Sequence, residues 1–365
     1  MKKMILFLSV LTMLFTSCSD DKSTKVDPDP DPKTYTIPET YNFDNVDYSK
    51  QLIQMEMLEE MKSLITNAIK NEVPISAGVL NSMFKNNGTP FVNSSLNSSE
   101  ESLYLETDQL RTAFIEFYFG DINNASTTRT AANNKKGILV TKDKSQTFLV
   151  DSVGKEYLQM IEKGLWGALF YYQVAQVFTS DDKIGKNIDN KTIIEGKGTQ
   201  MQHNWDQAFG YFGATLDFPK LNNDIKYVAK LSDDRNDLLY TNKLLMKEGF
   251  LKGRAAINNN DSTGKYEAIN SIRKNWELVL ASTAIHYLKI AKADFEDVAL
   301  KHHNLTGAWI LLWSIQFNPQ SNGFHYENAL AEIGTNFWNT TSTDIDKAIE
   351  ILVNAYKLEG VQNDL

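Results

Sequence analysis

Apolar positions recur at three- and four-residue steps along most of the chain, the pattern of helices that bury one face. Between Tyr48 and Lys70 the series runs Leu52, Met55, Leu58, Met61, Ile65 and Ile69. Tyr104–Phe119 repeats it through Leu105, Leu110, Phe114, Ile115 and Tyr118. Asp151–Phe178 is the strongest helical segment, and Gly164, Gly167 and Ala168 on its neighbouring turns are small enough to admit another helix at close range. The same reading predicts helices over Thr199–Phe212, Arg235–Asn258, Tyr266–Leu300, Asn304–Phe317, Tyr326–Phe337 and Asp344–Leu358, the last capped by Thr343 or Asp344. Strand signals are confined to Gly137-Ile138-Leu139-Val140 and Thr147-Phe148-Leu149-Val150, which flank a polar turn and predict a small hairpin. Polar stretches at Ser94–Ser102, Ile122–Lys136 and Thr179–Gly198 read as loops. The expected fold is all-α, a set of multi-helix up-and-down bundles with at most that hairpin. The polar stretch Thr179–Gly198 is a candidate subdomain boundary or site rim; as a boundary it would divide two packed subdomains, about 39–198 and 199–365.

The first residues follow a different logic. Lys2 and Lys3 precede an apolar run, Met4 to Phe15, which ends at Ser17-Cys18-Ser19-Asp20-Asp21. A charged start, an apolar stretch of about a dozen residues and a small-residue site describe a secretory signal, too short to span a membrane. Cys18 is the single cysteine of the 365 residues and stands where a lipoprotein signal is cut. Residues 1–18 are therefore expected to be a lipoprotein signal peptide ending at a lipidated Cys18. The alternative is cleavage by an ordinary signal peptidase, with Cys18 lost or left free. Residues 19–38 form a Pro/Asp tether around Asp27-Pro28-Asp29-Pro30-Asp31-Pro32, too poor in apolar residues to fold. Residues 39–365 are the helical body. Ser19-Asp20-Asp21-Lys22 resembles the acidic export tag of surface-exposed Bacteroidetes lipoproteins, which implies an outer-membrane protein facing outward.

Charge and cysteine usage narrow the functions. A formal net charge of −9, with no run of Lys or Arg to track phosphates, argues against nucleic acid as a partner. With Cys18 at the anchor, the body has no thiol for disulfides, metal sites or nucleophilic catalysis. No nucleotide loop, nucleophile elbow or zincin motif is present, so no assembled catalytic set marks the chain as an enzyme. A glycosidase carboxylate pair has no required spacing and stays open.

The densest cluster of chemically capable residues is Gly198 to Gly213. His203 and Asp206 stand three apart on one helix face, where they can share a metal ion or the carboxylate can orient the imidazole. Trp205, Phe209 and Tyr211, with Phe212, surround them as a site lining or as plain bundle core. The bland alternative is a buried histidine satisfied by an aspartate. Other candidates are weaker. Glu296 and His303 lie seven residues apart and share a face if one helix carries both, which makes His303 a second candidate ligand, ahead of His302. His286 reads as a packed core histidine and His325 as part of a helix start or turn. Arg254 is expected to pair with a buried carboxylate, Asp206 or Glu248.

Four stretches, Tyr41-Asn42-Phe43-Asp44-Asn45-Val46-Asp47-Tyr48-Ser49, Glu162-Lys163-Gly164-Leu165-Trp166-Gly167-Ala168, His203 to Gly213 and Phe250-Leu251-Lys252-Gly253-Arg254-Ala255-Ala256-Ile257, resemble one family. It is a Bacteroidetes lipoprotein family, domain of unknown function number 4856, and the likeness runs over essentially the whole body. It has no established activity. A looser resemblance links the His203 helix to imelysin-like proteins, two-bundle extracytoplasmic proteins of iron or haem uptake with a Gly-x-His-x-x-Glu motif. His203 matches the motif histidine, Asp206 stands for its glutamate, and Met201 replaces its glycine. That resemblance implies imelysin-like subdomains and a lipoprotein that binds iron, another metal or haem and passes it to an outer-membrane uptake receptor. The alternative is a non-catalytic interaction or scaffold lipoprotein with no small-molecule site.

Overall fold

The apolar series after Tyr48 folds as α1 (Ser49–Lys70), with Met55, Leu58, Met61 and Ile65 buried. The computed structural model describes residues 33–128 and 130–365. The expected signal segment, Cys18 and the tether as far as Pro32 lie outside the described residues. After α1 come α2 (Ala77–Lys85), the single turns α3 (Ser94–Asn97) and α4 (Leu103–Glu106), and then α5 (Thr112–Ala125). The one helix expected over Tyr104–Phe119 is therefore two. The backbone N–H of Asp108 donates to the Ala168 carbonyl at 2.8 Å, tying the chain down between them. Leu105 and Leu110, which the periodicity put inside, are exposed.

Strands β1 (Gly137–Val140) and β2 (Thr147–Val150) form the predicted hairpin, antiparallel with Gly137 opposite Val150. Helix α6 (Tyr157–Leu165) starts later than its apolar pattern because Asp151 makes a turn of its own. Asp151 Oδ1 accepts from the backbone N–H groups of Val153 and Lys155 at 2.9 and 2.8 Å. Beyond Leu165 the helix widens into π-helical turns over Trp166–Tyr171 and Gln173–Phe178. The expected close approach is real: a Cβ on Gly167 would lie 2.3 Å from Ser314 Oγ.

The chain continues through α7 (Asp181–Ile184), α8 (Gln200–Gly210), α9 (Tyr227–Leu239), a π-helical stretch over Lys243–Phe250 and α10 (Leu251–Asn258). It ends with α11 (Ser262–Ala293), α12 (Val298–Ser314), α13 (Phe324–Ile333) and α14 (Ser342–Tyr356). Two predicted helices are divided. Tyr240 takes the left-handed conformation, φ 54°, and closes α9. Asp297 caps a new helix, accepting from the backbone of Ala299 and Leu300, so the Tyr266–Leu300 pattern breaks after Ala293. α14 is capped by Thr341, with Asp344 answering in a capping box.

Tyr35–Leu365 form one compact unit. Helix α11 packs against α9, α10, α12 and α14, and α1 packs against α6 and α8. Met57, Leu169, Trp205, Trp276 and Leu311 belong to one continuous buried cluster, so residue 198 does not divide two separate cores. The architecture is an all-α bundle with one small hairpin. Among the described residues no helix is long and apolar enough to cross a membrane.

Candidate functional site

Helix α8 begins at a capping box. The Thr199 side chain accepts from the Gln202 N–H, and Gln202 Oε1 accepts from the Thr199 N–H at 2.8 Å. Neighbours of α8 are α1, α7, α10 and the π-helical Gln173–Phe178. That start fixes which way His203 and Asp206 point.

Asp206 is fully buried and bound by the protein itself. Its Oδ1 accepts from the Tyr41 hydroxyl at 2.8 Å and from Arg254 Nε at 2.9 Å. Arg254, 1 % exposed, also donates to Asn258 Oδ1 and to the Asp44 carbonyl, and its guanidinium sits 5.3 Å from the Phe43 ring centre. Tyr41 is held in turn by flat stacking on Phe209, 3.7 Å between ring centres. Burial pushes the Asp206 carboxyl up to about 7, against the opposing pull of Arg254 and the Tyr41 hydroxyl. Between the two partners proposed for Arg254 the fold selects Asp206, while Glu248 pairs with Lys243 at 3.4 Å.

The aromatic residues near the pair are core. Trp205 Nε1 donates to the Phe250 carbonyl at 3.0 Å, and Gly253 lies so close that a Cβ there would be 2.0 Å from the indole. Tyr211 donates to Gln54 Oε1 at 2.5 Å and stacks with Phe170. Trp205, Phe209 and Tyr211 are all fully buried.

His203 faces elsewhere. Burial lowers its pKa, with the Asp47 carboxylate opposing, and its Nδ1 has no protein partner. It lines an open cleft of about 490 Å³ together with Glu106, Gln173, Lys183 and Asn204. The donor set around α8 does not fit a metal ion. One oxygen of Asp206 is taken by Tyr41 and Arg254, the other is sealed in the core, and a guanidinium beside the carboxylate repels a cation. Among the described residues no group of three or more His, Cys, Asp or Glu could hold a metal.

The remaining histidines are dispersed. His303 Nδ1 lies 2.6 Å from Glu156 Oε2, and its ring stacks on Phe148 of the hairpin at 4.4 Å. The helix break at Asp297 removes the shared face expected for Glu296 and His303. His302 is fully buried with its Nδ1 3.0 Å from the Gly154 carbonyl, and burial holds its pKa down at about 3. His286 is half-buried rather than core, and His325 lies in the first turn of α13. Glu106 and Gln173 carried no local signal, and Lys183 only its place in the polar stretch expected as a boundary or site rim; they come from α4, the π-helical segment and α7, and only the fold brings them to His203. Tyr41 did have one, since it opens a stretch quoted for the family resemblance.

A family model described as domain of unknown function (DUF4856) matches residues 32–335. Neither a curated protein nor a solved structure matches the chain.

Proposed function

We propose that this chain, which belongs to the DUF4856 family, is an exported lipoprotein of the outer membrane, anchored through Cys18 and working as a non-catalytic binding module on the cell surface. The leader with its single cysteine and the Pro/Asp tether support the anchoring, because a stiff polar tether holds a folded body clear of a membrane. One observation carries the choice of this reading over metal or haem capture: the Asp206 carboxylate is already bound by Arg254 and Tyr41. Asp206 is then part of a strut with Tyr41 and Arg254 while His203 lines the neighbouring cleft, and an uptake receptor would meet the surface and receive no ion held by α8.

The test has two arms. Intact cells producing the full chain or Cys18→Ala are labelled with a clickable palmitate analogue and treated with external protease. Labelling and proteolysis of the full chain, with loss of labelling in Cys18→Ala, is the expected result; an unlabelled or protected full chain overturns the anchoring. Metal content is measured on the full chain and on His203→Ala, purified without chelator. Stoichiometric iron, zinc or manganese lost in His203→Ala would restore metal capture.

A further inference from the structure

The cleft beside His203 contains groups that the fold leaves unsatisfied, and they are of two opposite kinds. On one side are acceptors. Gln173, 4 % exposed, uses its Nε2 to donate to the Glu106 carbonyl at 2.7 Å, which fixes the direction of the amide. Its Oε1 is buried with no partner. The Glu106 carboxylate makes no hydrogen bond or salt bridge among the described residues; burial and the neighbouring Glu101 raise its pKa, and Lys50 and Lys183 oppose them from a distance. An unpaired acceptor in a protein wall costs free energy that a donor from a ligand recovers.

The cleft also carries a cation without a salt bridge. The Lys183 ammonium makes no salt bridge among the described residues; it acts on Glu106 only through space, and the Phe178 ring lies 5.8 Å from it. Its backbone is locked to α8, because Asn204 Nδ2 donates to the Lys183 carbonyl at 2.6 Å. Two further lysines border the cleft, but both are engaged: Lys50 with Glu101 at 2.9 Å and Lys197 with Asp47 at 3.9 Å. Glu106 and Lys183 line one cleft without forming a salt bridge within 4.0 Å, so the two charges attract each other across a gap.

We propose that this cleft binds a small zwitterion, a molecule with a primary ammonium group and a carboxylate, of amino-acid to dipeptide size. The ammonium donates to Glu106 and to Gln173 Oε1, and the carboxylate accepts from Lys183. His203 Nδ1 is unpartnered beneath the surface of the same wall. A lone anion is disfavoured because Glu106 repels it, and a lone cation because Lys183 does. A cleft of about 490 Å³ is in the range of small-molecule sites. This assignment does not depend on the anchoring through Cys18, and either can fail alone.

The test is titration calorimetry of the full chain with L-alanine and L-alanyl-L-alanine. N-acetyl-L-alanyl-L-alanine, which lacks the ammonium, and L-alanyl-L-alanine amide, which lacks the carboxylate, are the comparison probes. The expected result is saturable binding of at least one zwitterion and a loss of roughly tenfold or more for each blocked form, about 1.4 kcal/mol. Glu106→Gln should abolish the preference for a free ammonium, and Lys183→Met the preference for a free carboxylate, with thermal melts checking the fold of each. If a variant does not fold, the probe series on the unsubstituted chain decides alone. No saturable binding of either zwitterion, or equal affinity for the blocked dipeptides, overturns the proposal.

Discussion

Replacing Arg254 with Met tests the account of α8 most directly. The guanidinium is the principal charge partner of a carboxylate with no solvent exposure, and its loss leaves Asp206 with only the Tyr41 hydroxyl. Removing one member of a buried pair typically costs about 3–5 kcal/mol. For a body of this length, with an unfolding entropy of roughly 2.1 cal/mol/K per residue, that lowers Tm by about 4–7 °C. The pH dependence is the sharper signature. Asp206 titrates at about 7 in the fold against 3.8 in its ordinary state, so the native protein holds a proton that the unfolded chain has released. Its contribution therefore makes stability fall as pH rises from about 4 to about 7 and then level off. Without Arg254 the folded value climbs further and the fall continues to higher pH. The cost of Arg254→Met should be smallest near pH 5, where Asp206 is protonated with or without Arg254, and largest above pH 8. Urea unfolding from pH 5 to pH 9 measures it, and Asp206→Asn in the Arg254→Met background should recover part of the loss at pH 8. A cost that is the same at pH 5 and pH 9, or a double variant no more stable than Arg254→Met at pH 8, would refute the reasoning.

Three further outcomes are expected. Gly167→Ala places a Cβ 2.3 Å from Ser314 Oγ and should cost about 1–3 kcal/mol by overpacking, with Ser314→Gly restoring much of it in the double variant. His302 is held neutral by burial, with a pKa of about 3 against an ordinary 6.5. Its stabilising share is complete above about pH 6.5 and lost as pH falls towards 3, so His302→Asn should flatten the acid limb of the stability curve, and an unchanged limb in urea midpoints between pH 4 and pH 7 counts against this. His303→Ala strips the Glu156 carboxylate of its 2.6 Å partner and leaves it with Gln159, which should cost about 1–3 kcal/mol by calorimetry.

The parts of the fold that could be read from the chain are those decided locally. The 3.6-residue period of Tyr48–Lys70 gives α1 because both its apolar face and its ends lie within the segment. The paired apolar runs around residue 143 give the hairpin for the same reason. The errors fall where a specific polar contact, distant or local, overrules the apolar pattern. Tyr104–Phe119 reads as one helix, yet its series steps by five between Leu105 and Leu110, both exposed, and there the hydrogen bond from Asp108 to Ala168 divides it. At Asp297 a cap inside an apolar series starts a new helix, and with it the shared face of Glu296 and His303 disappears.

The same distinction explains why His203 and Asp206 read ambiguously. A His-x-x-Asp pair on one helix face is compatible with a shared metal, a hydrogen-bonded couple or two unrelated side chains, and nothing within α8 separates these. What separates them is remote: Tyr41 lies before α1 and Arg254 in α10, and both converge on Asp206. Arg254 was recognisable as a cation needing a buried partner, because an arginine among small residues must be paired, but its choice of Asp206 over Glu248 depends on how α10 lies against α8. The cleft was less legible still. Glu106, Gln173, Lys183 and His203 sit on four elements, and of these only His203 stood out in its own segment. Their chemistry exists only as a mismatch: acceptors without donors, and an ammonium whose neighbouring carboxylate stays beyond salt-bridge distance. Binding capacity of that kind is a property of what folding leaves unpaired, so it becomes visible only after every internal pairing has been assigned.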